Sequence, residues 1–214
     1  CAPLDSLLLD FWSRAWLTYR VDMEPFGDRA NPAAAAAARA FVTDVGWGCM
    51  VRSGQMLLAN ALLTLHLGRE WRAHRPPVTA TPAATGTAAN EPPPPLSPAE
   101  AAAPSDAEEA AVLALFADTR AAPFSLQRIT SEGEAALGTR VGQWYGPAAV
   151  CASLARLVGA VGVDAPAMAT ARARLERVPA ARSLAMHVAM DGVVCLDDVL
   201  AAAAAPAPAP SSED

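Results

Sequence analysis

A run of apolar residues with helical spacing, starting at Cys49, most constrains what this chain can fold into. Small and apolar residues recur on one helical face, at Met50, Gly54, Leu57, Leu58, Ala61, Leu62 and Leu65. This spacing follows the period of an amphipathic helix, about 3.6 residues. Gly68 supplies a C-terminal stop. The sequence therefore predicts a helix from Cys49 to Gly68, with Cys49 in its first turn.

Weaker patterns predict further elements on both sides of this helix. A helix is expected at the start of FWSRAWLTYR, residues 11–20, and a short helix in AVLALF, residues 111–116. PFSLQRI, residues 123–129, is predicted to be a strand. Pro147 suits the first position of a second helix closed by Gly159, whose apolar face comprises Val150, Cys151, Leu154, Leu157 and Val158.

The last patterned region alternates weakly rather than following a helical period. ARSLAMHVAM, residues 181–190, predicts a strand, and Asp191-Gly192 is a turn dipeptide. VVCLDDVL, residues 193–200, then forms a strand or a helix.

Two low-complexity segments divide the chain into four regions. We assign residues 1–75 to the first part of a folded domain and residues 76–110, rich in Pro and Ala, to a disordered insert. Residues 111–200 continue the domain, and residues 201–214 form a disordered Ala/Pro tail. A poly-Ala run behind Asn31-Pro32 is expected to be a peripheral loop or short helix.

Composition excludes several classes of function. The formal net charge of −6 comes without a clustered basic stripe, which argues against nucleic acid as a partner. No run of large apolar residues long enough to cross a bilayer and no secretory signal pattern are present, so we expect a soluble, unsecreted protein. The four cysteines show neither CxxC pairing nor Cys/His metal spacing, which favours reduced thiols and no metal.

Cys49 is the strongest candidate for chemistry. A helix N-terminus favours the thiolate through its unpaired N–H groups and the positive end of the dipole. Gly46 and Gly48 leave an approach for a substrate backbone, and Trp47 is expected to form a flat apolar wall beside the thiol. Papain-type cysteine proteases use this arrangement, although a cysteine at a helix start also suits a small buried hydrophobe.

Four blocks of sequence resemble the Atg4 family of autophagy-related cysteine proteases, in the family's order. The longest is DVGWGCMVRSGQMLLANALLTLHLGREWR, residues 44–72, the region around the nucleophile. The others are FWSRAWLTYR, the segment from FSL to GQWYGP at residues 124–147, and SLAMHVAMD at residues 183–191.

The resemblance implies a papain-like cysteine protease of α/β (α+β) class, incomplete at its C-terminal side. It implies that Cys49 is the nucleophile, that Tyr19 stabilises the oxyanion and that Trp144 packs over the substrate tail. The implied substrates are Atg8-type ubiquitin-like proteins, cut after their C-terminal glycine or released from phosphatidylethanolamine on autophagic membranes. A cytoplasmic enzyme without a cofactor is expected.

A general base for Cys49 is not evident. His66 lies on the same predicted helix, roughly 25 Å along it at about 1.5 Å per residue, and His74 borders the insert. His187, with Asp191 four residues later, lies in an apolar stretch typical of a structural histidine. The family's Asp-Pro-His-type motif follows the block containing His187, and the chain ends before any such motif. We therefore expect an incomplete triad.

Two other functions remain open at the level of sequence. One is an Atg8-binding pseudoprotease or truncated fragment that performs no catalysis. The other is a redox-sensitive thiol protein, although no resolving cysteine lies near Cys49 in the sequence.

Overall fold

The computed structural model describes residues 2–26, 41–73, 106–163, 165–189 and 192–204 of the chain. The α-helices in these ranges are α1 (Ala2–Trp12), α2 (Cys49–Leu67), α3 (Asp106–Leu113), α4 (Leu126–Leu137), α5 (Pro147–Gly162), α6 (Arg172–Glu176), α7 (Pro179–Arg182) and α8 (Leu196–Ala204). Short 3-10 turns follow α3 at Ala114–Phe116 and precede α6 at Pro166–Ala171. The described part contains no strand, so the sheet of the expected α/β class is not found there.

Helix α2 confirms the strongest sequence prediction. It begins at Cys49 and ends at Leu67, where the Gly68 amide donates to the Thr64 carbonyl. Its buried face differs from the predicted one, because Leu57 and Leu65 are 66% and 59% exposed. The face that packs inward is made of Val51, Arg52, Gly54, Gln55, Leu58, Ala59, Leu62 and Leu63. The spacing of apolar residues did not predict this face correctly, because two of the residues buried on it, Arg52 and Gln55, are polar.

Helix α4 replaces the strand predicted at residues 123–129, and that prediction was wrong. Ser125 caps the helix, its side-chain oxygen accepting a hydrogen bond from the Arg128 amide. Gly138 ends it with a φ of 70°, a left-handed conformation that glycine adopts without strain.

Helix α5 begins at Pro147 as predicted and extends three residues beyond the expected stop at Gly159. Helices α4 and α5 pack extensively against each other, and α2 packs against α3, α5 and α7. Gly54 permits the α2–α5 contact, because a Cβ there would lie 2.3 Å from Val150 Cγ1. One hydrophobic cluster draws on residues both before and after the predicted insert, including Val51, Leu62, Leu126 and Leu175.

The C-terminal part corrects several sequence predictions. Residues 181 and 182 belong to α7, and residues 184–189 form neither helix nor strand. The strand predicted over 181–190 is therefore wrong in the described residues. Of VVCLDDVL, residues 196–200 form the start of α8, and residues 193–195 precede it without regular structure. Met190 and Asp191 lie outside the described residues.

Two boundaries also shift. Helix α3 starts at Asp106, inside the predicted insert, and α8 reaches Ala204, inside the predicted tail. The rest of the insert, the rest of the tail and the poly-Ala run lie outside the described ranges.

No single helix in the described ranges has the length and apolarity needed to cross a membrane. The segments Pro147–Gly162 and Pro166–Glu176 meet that test only when taken together, and they are bent by 84°.

Candidate active site

Cys49 is the first residue of α2 and follows a tight turn. The Trp47 and Gly48 amides both donate to the Asp44 carbonyl, at 3.2 and 2.8 Å. Gly46 has a φ of 90°, which permits this turn without the strain that a side chain would bring. Cys49 is only partly buried, and it lies at the positive end of a nineteen-residue helix.

A cleft of about 270 Å³ lies beside Cys49. One wall is the segment after α1, with Trp16, Leu17, Thr18 and Tyr19. The other wall is the first part of α2, with Cys49, Arg52, Ser53 and Met56. The structure therefore brings together Cys49 and Tyr19, two of the three residues that the sequence singles out as site residues.

Trp47 does not form the open wall expected beside the thiol. It is 6% exposed and packs edge-on against Phe26 and Phe41, with ring centroids 5.5 and 6.2 Å apart. Its indole N–H donates to the Thr43 carbonyl at 3.0 Å. This side chain anchors the turn before Cys49 in the core, because its large apolar surface is more stable there than in the cleft.

Arg52 is the buried cation of the site. Its Nε donates to Asp44 Oδ2 at 2.7 Å, and its two terminal nitrogens donate to the two oxygens of Asp118 at 2.8 and 3.1 Å. Burial by itself would lower the pKa of Arg52, but the hydrogen bonds and charges of Asp44 and Asp118 outweigh it and raise the pKa. Arg52 therefore stays charged and joins α2 to the segment after α3.

The remaining candidates do not line the cleft. Trp144 is 78% exposed in the loop before α5, and His187 is exposed on the segment after α7. His66 lies in the last turn of α2, at the opposite end from Cys49. His74 and Asp191 lie outside the described residues.

No histidine is among the described residues that line the cleft. In the described part of the chain, no group of three or more His, Cys, Asp and Glu side chains is arranged to hold a metal ion. Cys49, Cys151 and Cys195 are free thiols.

Sequence reasoning missed Asp44, Arg52 and Asp118. A signal for the first two was present, because an Asp and an Arg flank the GWGC turn within one short string. Asp118 carried no signal, since it lies 66 residues beyond Arg52 and only the fold brings them together.

The chain as a whole is similar to proteins of one family. The Peptidase C54 catalytic domain profile matches residues 4–212. The chain is similar to a probable cysteine protease ATG4 of Chaetomium globosum, 38% identical over 157 residues, which covers 67% of this chain and 29% of that protein.

Two other relatives are similar to the same degree. A probable cysteine protease atg4 of Aspergillus oryzae is 35% identical over 175 residues, covering 76% of this chain and 36% of the relative. The cysteine protease ATG4 of Pyricularia oryzae is 35% identical over 168 residues, covering 72% of this chain and 28% of the relative. The chain thus spans about a third or less of the length of the curated relatives it matches.

Proposed function

Because the chain belongs to the peptidase C54 family, we propose that it carries the nucleophile, Cys49, of a cysteine protease of the Atg4 type. The observation that carries the proposal is the place of Cys49 at the first residue of α2, in a cleft that Tyr19 also lines. A thiol at a helix N-terminus can supply the attacking thiolate, and a phenol on the facing wall can donate a hydrogen bond to the oxyanion that the attack creates.

The proposed substrates are Atg8-type ubiquitin-like proteins, as precursors or joined to phosphatidylethanolamine. The Cys49 thiolate bonds to the carbonyl carbon of the C-terminal glycine, and the carbonyl electrons move to oxygen. Tyr19 donates a hydrogen bond to that oxyanion. The oxyanion electrons then re-form the carbonyl as the C–N bond breaks, the leaving amine takes a proton from water, and water hydrolyses the thioester and frees the Cys49 sulfur. Trp144, exposed before α5, is proposed to pack over the substrate tail.

The finer assignments follow from family membership. We propose a papain-like α/β fold in which the described helices form the helical side. Residues 1–75 and 111–200 are proposed to be one protease domain, which the shared hydrophobic cluster supports. A cytoplasmic site of action is proposed, with membranes reached through the lipidated substrate and no role for nucleic acid.

A covalent probe tests the nucleophile without requiring turnover. An Atg8-type protein carrying a propargylamide in place of its C-terminal glycine adds the attacking sulfur to its alkyne. We expect one probe per chain, attached at Cys49 and absent in Cys49→Ala, measured by intact-mass spectrometry. Cys151→Ala and Cys195→Ala are matched controls and should label as the parent does. Equal labelling of Cys151 or Cys195 would refute the assignment.

A second candidate function is an Atg8-binding pseudoprotease. It is favoured by the lack of a histidine among the described residues lining the cleft. If this chain carries the nucleophile without its general base, we expect the probe to label Cys49 while an Atg8 precursor stays uncleaved. Cleavage that is lost in His187→Ala would instead identify His187 as the base and reject the pseudoprotease.

A further inference from the structure

A single buried carboxylate connects the two walls of the Cys49 cleft. Asp44 is fully buried, and its Oδ1 accepts a hydrogen bond from the Arg20 amide at 2.7 Å. Its Oδ2 accepts from Arg52 Nε at 2.7 Å. Arg20 directly follows Tyr19 in the chain, and Arg52 lies three residues after Cys49. One oxygen of Asp44 is therefore hydrogen-bonded to the residue after Tyr19, and the other is hydrogen-bonded to a residue three positions after Cys49.

We propose that Asp44, held by Arg52, is the positioning residue that sets the Tyr19 segment against Cys49. The inference rests on the proposed function, in which Tyr19 donates to the oxyanion. Tyr19 is 48% exposed, so packing of its side chain gives it limited support. Its place depends on the main chain that Asp44 fixes.

The main chain around Asp44 supports the same contact. The Asp44 amide donates to the Arg20 carbonyl at 3.4 Å, and Thr43 Oγ1 donates to that carbonyl at 2.7 Å. The Gly48 amide donates to the Asp44 carbonyl at 2.8 Å. Gly48 lies so close that a Cβ there would be 2.6 Å from Asp44 Cβ. One residue thus holds the Tyr19 segment by its side chain and the turn before Cys49 by its carbonyl.

Arg52 makes this carboxylate stable in the buried position. An unpaired buried carboxylate is strongly destabilised, whereas Arg52 neutralises Asp44 and is itself held by Asp118 in a bidentate pair. Gln55 Oε1 also accepts from Arg52, at 3.2 Å, and Met23 Sδ accepts from it at 3.5 Å. Arg20 reaches Asp118 only at 4.0 Å and is 58% exposed, so it contributes little.

Two measurements on Cys49 separate positioning from general damage. Alkylation by iodoacetamide depends on the thiol alone. Binding of a short peptide ending in glycinal depends also on the oxyanion donor. In that binding the thiolate sulfur bonds to the aldehyde carbon, and the carbonyl electron pair moves to oxygen. The oxygen then accepts a hydrogen bond from Tyr19 or a proton from water.

The variants are Tyr19→Phe, Asp44→Asn and the double variant. Asn keeps the shape of Asp44 but has only one acceptor oxygen. Its NH2 group must face either Arg52 Nε or the Arg20 amide, and both of those groups are donors. We expect each single variant to weaken glycinal affinity about tenfold to hundredfold while the alkylation rate stays within about twofold of the parent. The double variant should be no weaker than the worse single variant, because both changes remove the same interaction.

Thr43→Val provides a second route if Asp44→Asn fails to fold. It removes one hydrogen bond to the Arg20 carbonyl without burying a charge, and it should weaken glycinal binding by a smaller factor. Glu132→Gln is the matched control, since it removes the negative charge from a partly exposed contact of 2.9 Å between Glu132 on α4 and Arg156 on α5. That control should change neither measurement.

Additive losses in the double variant, or equal losses of alkylation and glycinal affinity, would overturn the positioning role. Failure of the proposed function is distinguishable. If Tyr19→Phe leaves glycinal affinity unchanged, the oxyanion role of Tyr19 fails, and with it the reason for Asp44 to position it.

Discussion

Several buried polar side chains each join two segments that are distant in sequence. Gln55 on α2 donates to the Phe124 carbonyl at 2.8 Å, 69 residues away. Asp44 joins the segment after α1 to α2, and Arg52 joins α2 to the segment after α3. Each such group loses its hydration on folding and is stable only because its partner is present. Single residues of this kind therefore fix how the helices approach the cleft.

Tyr145 offers a test of this behaviour that depends on pH. Its side chain is 2% exposed, and its hydroxyl contacts the Thr139 carbonyl at 2.7 Å and the Thr130 carbonyl at 3.2 Å. Burial, with a smaller effect from the negative charge of Glu134, raises the pKa of Tyr145 above the usual range. The folded state therefore keeps the proton at a pH where the unfolded chain loses it.

This difference predicts the sign of the alkaline effect. The stabilisation is complete below the unfolded pKa of about 10 and is lost as the pH rises above it. We expect Tyr145→Phe to cost about 1 kcal/mol of unfolding free energy at pH 7, through the lost hydrogen bond. Between about pH 9 and 11 that cost should shrink, and the Phe variant should then become the more stable of the two proteins, measured by urea unfolding. A cost that stays constant with pH would contradict the assignment.

At the scale of elements, glycines decide how closely α2 and α5 approach. Gly54 on α2 has Val150 Cγ1 only 2.3 Å from the position of a Cβ, while Gly159 on α5 has no atom within 4 Å. Gly54→Ala should therefore destabilise the protein by about 1–3 kcal/mol through overpacking. Gly159→Ala is the matched control and should stabilise it by about 0.5–1 kcal/mol, because alanine favours an exposed helix interior. Thermal unfolding of both variants checks this, and a stabilising Gly54→Ala would rule out the close contact.

The elements also show what sequence could and could not predict. The positions of α2 and α5 were predictable, because long apolar spacing and the boundary residues Gly68 and Pro147 agree. The buried face of α2 was not, since Arg52 is buried in ion pairs with Asp44 and Asp118, and the proximity of Asp118 depends on the fold. The strand predicted at residues 123–129 failed because the Ser125 cap, a local signal, favoured the helix.

The same distinction applies to the cleft. The place of Cys49 at the start of α2 could be predicted from its own surroundings in sequence, and the expectation that Tyr19 lies near it came from resemblance to a family. Which groups hold those two residues in place could not be predicted, because Asp44 contacts Arg20 across 24 residues. Long-range hydrogen bonds of this kind leave no periodic pattern in a single sequence.

At the scale of the whole molecule, stability is unevenly distributed among the described helices. Helix α2 contributes eight buried residues to the core, whereas α8 contributes none, with Val193, Val194 and Leu196 each more than 60% exposed in or before it. An isolated helix shorter than about 12 residues is marginal in water. The amides of α8 should therefore open locally without unfolding of the rest.

Hydrogen exchange measured by mass spectrometry tests this distribution on the intact chain. We expect peptides from α8 to exchange nearly as fast as in the unfolded chain, while peptides from α2 and α5 exchange only through global opening. Gly54→Ala provides an internal control, because it should accelerate exchange in α2 and α5 and leave α8 unchanged. Protection of α8 equal to that of α2 would mean that its exposed apolar face is covered in solution. The physical picture of a stable core around the Cys49 helix with a separately opening C-terminal helix would then be wrong.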